Sequence, residues 1–437
     1  MRRAAAVVLL PALACAGVAA NGPAGGAPAL PEPMTAPSPD LAHEILASHP
    51  GLRPVVDRAA EHRLQVVVGL VEEGDGGRPV LVQHGFRLGA EYFYPASTVK
   101  LLAAVAALER LAELRRETGL PIDLDTPLVF HPLFDDEERE ETDPSNLAGG
   151  RITVRHAVRK IFLVSDNRAF NRLYELVGQD RLAGSLARAG ISGTRIVHRL
   201  DEARSEADNR RYPRIDFVGD GWRHTLPERE SPPLPPAPPV PGLRAGRAHV
   251  AGGELVREPF DFAPKNRFPL AALQRGLCRV VRPDVDCGGP GFALSDADRA
   301  LLLEAMRQLP RESANPVYDP AEVPDAHVKF VLPGLRRVVP ADRLEVYDKT
   351  GQAYGFTTEN AYVVDRGGGD EPGAHRPFFL AATLYTNADG VLNDDRYEYA
   401  EIAFPFLADL GEAAARRLWD GAGYSRAEGG GVPDPLR

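Results

Sequence analysis

The period of apolar and polar positions changes three times along the chain. Leu64–Val71 and Pro79–His84 are two β-rich runs separated by a Gly-Asp-Gly-Gly turn at residues 74–77. Such a pair reads as a hairpin. From Ser97 onward the period lengthens, and Leu101, Leu102, Val105, Leu108, Leu111 and Leu114 recur at helical spacing. Further helices are predicted over Val154–Leu163, Arg168–Val177 and Arg181–Ala189, with Gly178 and Gly190 as terminators. Two more follow at Leu270–Val281 and Ser295–Gln308, where Ser295 is a natural N-cap with Asp298 three residues on. Strands return at Leu344–Asp348, Thr357–Val364 and Phe378–Tyr385, and Ala400–Trp419 closes the pattern as a helix. Strands at both ends of the chain around a helical middle predict an α/β sandwich. An antiparallel sheet is flanked by helices and carries an inserted all-α subdomain.

Two segments break the pattern. Ser231–Pro241 reads Ser-Pro-Pro-Leu-Pro-Pro-Ala-Pro-Pro-Val-Pro and can be neither helix nor central strand, so it is expected as a surface loop in an insertion at 226–246. At the start, Arg2 and Arg3 precede an apolar stretch from Ala4 to Ala14 and small residues to Ala20. Residues 1–20 are therefore expected to be an export signal, too short to span a bilayer as a mature helix. Cys15, after Ala12-Leu13-Ala14, leaves lipid attachment open as an alternative to simple cleavage after Ala20. Residues 21–40 are a Gly, Pro and Ala-rich linker. A single catalytic domain is expected over 41–420, its sheet part at 41–96 and 335–420 and its helical part at 97–334, with a tail at 421–437. The expected location is periplasmic or extracellular, as a monomer.

Composition narrows the function classes. A net charge of -10 over 437 residues, with no basic run, removes the electrostatic basis for a nucleic-acid partner. The histidines are scattered and no metal-ligand spacing occurs, so neither metal nor cofactor is expected. Once Cys15 is set aside, Cys278 and Cys287 remain, and two neighbouring cysteines in an exported chain suggest a disulfide.

Three short motifs carry the chemistry: Ser97-Thr98-Val99-Lys100, Ser165-Asp166-Asn167 and Lys349-Thr350-Gly351. A serine hydroxyl becomes a good nucleophile only when a base takes its proton. Lys100, three residues after Ser97, shares its helical face and is placed to be that base. The start of a helix also presents backbone N–H groups to a developing oxyanion. Lysine is scarce here, with five in the chain at 100, 160, 265, 329 and 349, so two of five in motifs is informative. Arginine cannot serve as a base at neutral pH, whereas a lysine in an apolar setting can. Ser165 is read as a proton relay, Asn167 as a contact for a substrate amide, and Asp166 as holding the loop. Lys349 is read as binding a substrate carboxylate.

In this order the motifs resemble the class A β-lactamase type of penicillin-recognising serine enzyme. The resemblance runs from about residue 60 to about 418 and extends to Arg199-Leu200-Asp201, which is similar to the start of the family's omega loop, and to Leu294–Arg299. It implies a three-layer sandwich and an acyl-enzyme on Ser97. It also implies an oxyanion site at the backbone N–H groups of Ser97 and Gln352, with Thr350 and Gly351 beside the substrate. The implied substrate is a β-lactam or a peptidoglycan-derived molecule. Aligned on Arg199-Leu200-Asp201, Arg204 falls where the water-activating glutamate is expected and Asp208 where its asparagine partner is expected. Glu202 and Glu206 are the neighbouring carboxylates able to substitute. On this reading acylation is intact and deacylation is in question. A D,D-peptidase, transpeptidase or esterase, or a protein that binds without turnover, stays open beside β-lactam hydrolysis.

Overall fold

A computed structural model describes residues 40–367 and 375–420. The export signal, the linker up to residue 39, Cys15 and the tail 421–437 lie outside the described residues. A six-stranded antiparallel sheet forms the centre. The predicted hairpin is β1 (Gln65–Glu73) and β2 (Pro79–Phe86). The C-terminal part supplies β3 (Leu344–Asp348), β4 (Gly351–Ala353), β5 (Phe356–Asp365) and β6 (Phe378–Tyr385). The order is β3–β5–β6–β1–β2, with β4 also on β5, so the two ends of the chain meet where Val67 opposes Ala381.

Eight helices of nine residues or more occur among the described residues: α1 (Asp40–Ser48), α2 (Lys100–Thr118), α3 (Val154–Leu163), α4 (Asn167–Val177), α5 (Gln179–Arg188), α6 (Leu270–Val281), α7 (Asp296–Arg307) and α8 (Phe404–Ala415). Strand side chains alternate between two cores, as the period of two requires. Val66, Val68, Phe378 and Leu380 share one core with Ile45 of α1 and Leu407 and Leu410 of α8. Val67, Phe379 and Ala381 face the other, with Leu102 and Val105 of α2 and Leu273 of α6. The molecule is thus helix, sheet and helix in three layers. Helix α2 is buried all round from Lys100 to Leu111, which makes it the axis of the second core. Ser295 and Asp298 form a full capping box at the start of α7.

The inserted block differs from the all-α subdomain expected. Its core is helical, but Leu128–Phe130, Ile215–Gly219 and Trp222–Leu226 form a three-stranded sheet, and Ala248–Ala251 and Glu254–Val256 form another with Val391–Leu392. These runs have two to five residues each. An alternation that short does not stand out from loop in a sequence. In Ser231–Val240 every third residue, Ser231, Leu234, Ala237 and Val240, turns toward the protein while the prolines between stay largely exposed. That is the period of a polyproline II strand laid on a surface. Cys278 of α6 and Cys287 are joined by a disulfide with Cα atoms 6.1 Å apart.

Candidate active site

Ser97 lies in a 3-10 turn, Ala96–Val99, that runs directly into α2. Strand β4 passes this turn edge-on. A Cβ built on Gly351 would lie 2.6 Å from the Pro95 carbonyl, 2.9 Å from the Ser97 nitrogen and 3.0 Å from the Thr98 nitrogen. Only glycine allows this approach, which explains the residue after Lys349-Thr350. Those two residues bridge β3 and β4, and both strands pair with β5.

The second motif sits between α3 and α4. Asp166 caps α4 through the Ala169 N–H at 2.7 Å and pairs with Lys160 at 3.0 Å, which fits its role as the loop holder. Ser165 takes φ 55°, in the left-handed region. It is not alone. Among the eight non-glycine residues with positive φ in the described chain, Ala96, Ser165, Asp201, Tyr354, Asn393 and Asp395 all line the cleft around Ser97. Each such residue costs about 1–3 kcal/mol, and strain of this kind gathers at functional sites.

The three motifs converge on Ser165. The Lys100 amine donates to the Ser165 carbonyl, to Asn167 Oδ1 at 2.7 Å and, more loosely, to Ser165 Oγ at 3.3 Å. The Lys349 amine donates to Ser165 Oγ at 3.0 Å and to the Thr350 carbonyl at 2.9 Å. No hydrogen bond joins Lys100 to Ser97 among the described residues, so the amine is held by the second motif rather than by its helical neighbour. Burial, then the positive charge of Lys349, push the Lys100 pKa well below the usual amine range; Asp166 and Asp201 oppose this more weakly. A neutral Lys100 spends two N–H bonds on Ser165 O and Asn167 Oδ1 and keeps its lone pair for a hydroxyl. Burial also lowers Lys349, to about 8, with Asp348 and Glu359 holding it up. Behind it, Lys329 pairs with Asp348 at 2.5 Å, and Glu359 accepts the N–H groups of Phe330 at 2.8 Å and Val331 at 3.2 Å. Burial and the neighbouring Asp348 carboxylate push Glu359 well above the ordinary carboxyl range.

Ser97 stands where two lobes of one cleft meet. The first lobe, about 790 Å³, is walled by Tyr94, His198, Phe260, Lys265, Tyr354 and the carboxylates Asp201 and Glu202. The second, about 730 Å³, holds Ser165, His327, Thr350, Gly351 and Phe404. Ser97, Asn167, Gln352, Tyr397 and Tyr399 line both.

The omega-loop expectation needs correction. Arg204 faces away from the cleft: it bonds Asp136 at 2.8 Å and Glu137 at 3.1 Å, and its guanidinium lies 4.2 Å from the Phe134 ring centre. Asp208 is tied to Ser205, and Glu206 is exposed and lines neither lobe. Glu202 does line the cleft, accepting from Asn171 at 2.8 Å and Arg168 at 3.2 Å. Asp201, which spacing passed over, lines it as well. Its φ of 59° gives the loop a local geometry that counting residues does not follow. Away from the cleft, His49, Asp409 and Glu412 come together, but Arg337 bonds Asp409 at 2.8 Å and Glu412 at 2.9 Å, which makes this an ion-pair cluster.

The sheet and the helical layers form a three-layer α/β sandwich that carries the motif turn at Ser97. Residues 86–216 match the model of the beta-lactamase enzyme family. No curated protein matches the sequence significantly. Solved structures similar to this chain include a beta-lactamase from Sphaerobacter thermophilus (15% identity, 86% of this chain and 96% of that one, TM-score 0.41). Others are a beta-lactamase from Streptosporangium roseum (18%, 84% and 97%, TM-score 0.42) and a class A beta-lactamase from Clostridium kluyveri (15%, 86% and 98%, TM-score 0.45).

Proposed function

We propose that this chain is an exported serine hydrolase that forms an acyl-enzyme on Ser97 and hydrolyses β-lactam amides. The observation that carries this is the convergence of Lys100 and Lys349 on Ser165 beside Ser97. A lysine amine depressed by burial can accept a proton at neutral pH. In the proposed reaction Lys100 takes the Ser97 hydroxyl proton, directly or through Ser165. The Ser97 oxygen bonds the carbonyl carbon while the backbone N–H groups of Ser97 and Gln352 receive the oxyanion. The carbon–nitrogen bond then breaks, and Ser165 passes a proton to the leaving nitrogen. Lys349 and Thr350 face the substrate carboxylate, and Asn167 faces its amide. Asp201 and Glu202 are the carboxylates on hand to activate water for hydrolysis of the ester. Their place in the cleft supports turnover, whereas the arginine at 204 had favoured binding alone.

A second reading, a D,D-peptidase, transpeptidase or esterase on cell-wall material, is favoured by the size of the two-lobed cleft. Incubation with a chromogenic cephalosporin, with Ser97→Ala as control, separates the readings. Turnover that vanishes in the variant supports β-lactam hydrolysis. A stable adduct seen by mass spectrometry without turnover supports binding alone. No adduct and no turnover rejects both and leaves the cell-wall substrates. No helix among the described residues is long and apolar enough to cross a membrane. Export rests on the N-terminal signal, and the mass of the secreted protein tests it.

A further inference from the structure

Part of the wall of the first lobe comes from residues beyond the family match at 86–216, namely Phe260, Lys265 and Tyr354. Phe260 stacks on Tyr354 with ring centres 5.3 Å apart. Tyr94 stacks on His198 at 6.1 Å with the rings 6° from parallel. The Lys265 amine lies 5.8 Å from the ring centres of both Phe260 and Tyr354.

Lys265 forms no ion pair or hydrogen bond among the described residues. No carboxylate of the lobe pairs with Lys265 among the described residues. Glu202 is held by Arg168 and Asn171. Burial alone lowers Lys265.

His198 adds a second unfilled group. Its Nδ1 lies 2.6 Å from the Arg199 carbonyl, which can only accept, so Nδ1 carries the hydrogen and Nε2 the lone pair. Burial holds His198 near 4, so the ring is neutral at pH 7. Its Nε2 is buried and has no hydrogen-bond partner. A buried acceptor left unpaired is costly, and a ligand donor would satisfy it.

An unpaired cation, an unpaired acceptor and an aromatic wall together complement one kind of group. We propose that this wall of the first lobe is a subsite for an amide-linked, carboxylate-bearing arm on the acyl side of the substrate, with Lys265 pairing the carboxylate and His198 Nε2 accepting the arm's N–H. This rests on the reading of Ser97 as the acylated residue. An acidic peptide arm and an acidic β-lactam side chain share this chemistry.

The test uses the Ser97→Ala protein, so that recognition is read without chemistry. Two probes are titrated calorimetrically: a cephalosporin nucleus acylated on its amine with glutarate, and the same compound as its methyl ester. The acid is expected to bind at least about tenfold more tightly, in line with a charge-assisted bond. Lys265→Met is expected to erase the preference and Lys265→Arg to keep part of it. Lys265→Gln serves in place of the methionine variant if that one fails to fold. Equal affinities, no binding of either probe, or a preference that survives loss of the amine overturns the proposal. Acylation is read separately, from the mass of wild-type protein after incubation. A missing adduct together with no turnover that depends on Ser97 refutes the Ser97 reading, while the arm preference is decided by the calorimetry.

Discussion

Gly351 passes Ser97 so closely that a Cβ on it would lie 2.9 Å from the Ser97 nitrogen. The neighbouring atoms are all backbone, so nothing flexible can yield. Gly351→Ala is therefore expected to displace the turn that carries Ser97. The expected cost is about 1–3 kcal/mol of stability, the usual range for overpacking, with acylation slowed at least tenfold. Urea denaturation and the rate of adduct formation measure the two effects. A variant that is fully stable and acylates at the wild-type rate contradicts this contact.

The two lysines set a pH window. The lowered Lys100 must be unprotonated to act as a base, so acylation falls when pH drops through its pKa. Lys349 must be charged to hold a carboxylate, so activity also falls as pH rises past about 8. A bell-shaped kcat/KM profile results, with the alkaline limb assigned to Lys349. Lys349→Arg is expected to move that limb upward. Lys100→Ala is expected to abolish the adduct, and full acylation of that variant contradicts its role as base.

Asp201 is exposed to the first lobe and Glu206 is not. If Asp201 serves deacylation, Asp201→Asn accumulates acyl-enzyme and lowers steady-state turnover by tenfold or more. Glu206→Gln and Arg204→Ala are expected to leave turnover within a few-fold of wild type. Burst kinetics with a slow substrate resolve the two steps. Should Glu202→Gln alone accumulate the adduct, the water-activating role passes to Glu202.

Acid should destabilise the fold through two histidines. His156 and His198 are each held near 4 by burial, against 6.5 when unfolded. Between those values the unfolded chain binds protons that the folded chain does not. Stability therefore falls as pH drops from about 6.5 toward 4. Urea midpoints at pH 7 and pH 4.5 check the direction, and His156→Gln is expected to flatten the slope.

The Cys278–Cys287 bridge closes a loop with a separation of nine residues. In the chain-entropy model so short a loop contributes about 2–3 kcal/mol. Replacing both cysteines with serine is expected to lower stability by that amount, and the denatured protein should show no titratable thiol at these positions. Two free thiols contradict the bridge.

Much of this architecture could be read from the order of residues. The helix over Val154–Leu163 and the strand over Leu344–Asp348 stand where their patterns put them. Long periodic segments allow this because burial of one face is written into their spacing. The motifs were legible for a related reason: Ser97 and Lys100 are chemical groups at a fixed local interval. The partner of Lys100 was not legible. Helical spacing points to Ser97, whereas packing against the next layer gives the amine to Ser165 and Asn167. The short strands of the insertion were missed because two to five residues carry too little alternation.

The omega loop shows the same division. Counting from Arg199 assigns Arg204 to the cleft, while the left-handed turn at Asp201 sends Arg204 outward to Phe134 and leaves Asp201 and Glu202 inside. Lys265 and His198 lie far from the motifs in the chain. The scarcity of lysine was the one signal that could have marked Lys265. The layers, the three motifs and the chemical types they bring can be read from the order of residues, because these depend on local period and composition. Tertiary structure alone decided which groups touch, which carboxylates face the cleft and which cation stands unpaired, because those depend on distances between segments that no local pattern encodes.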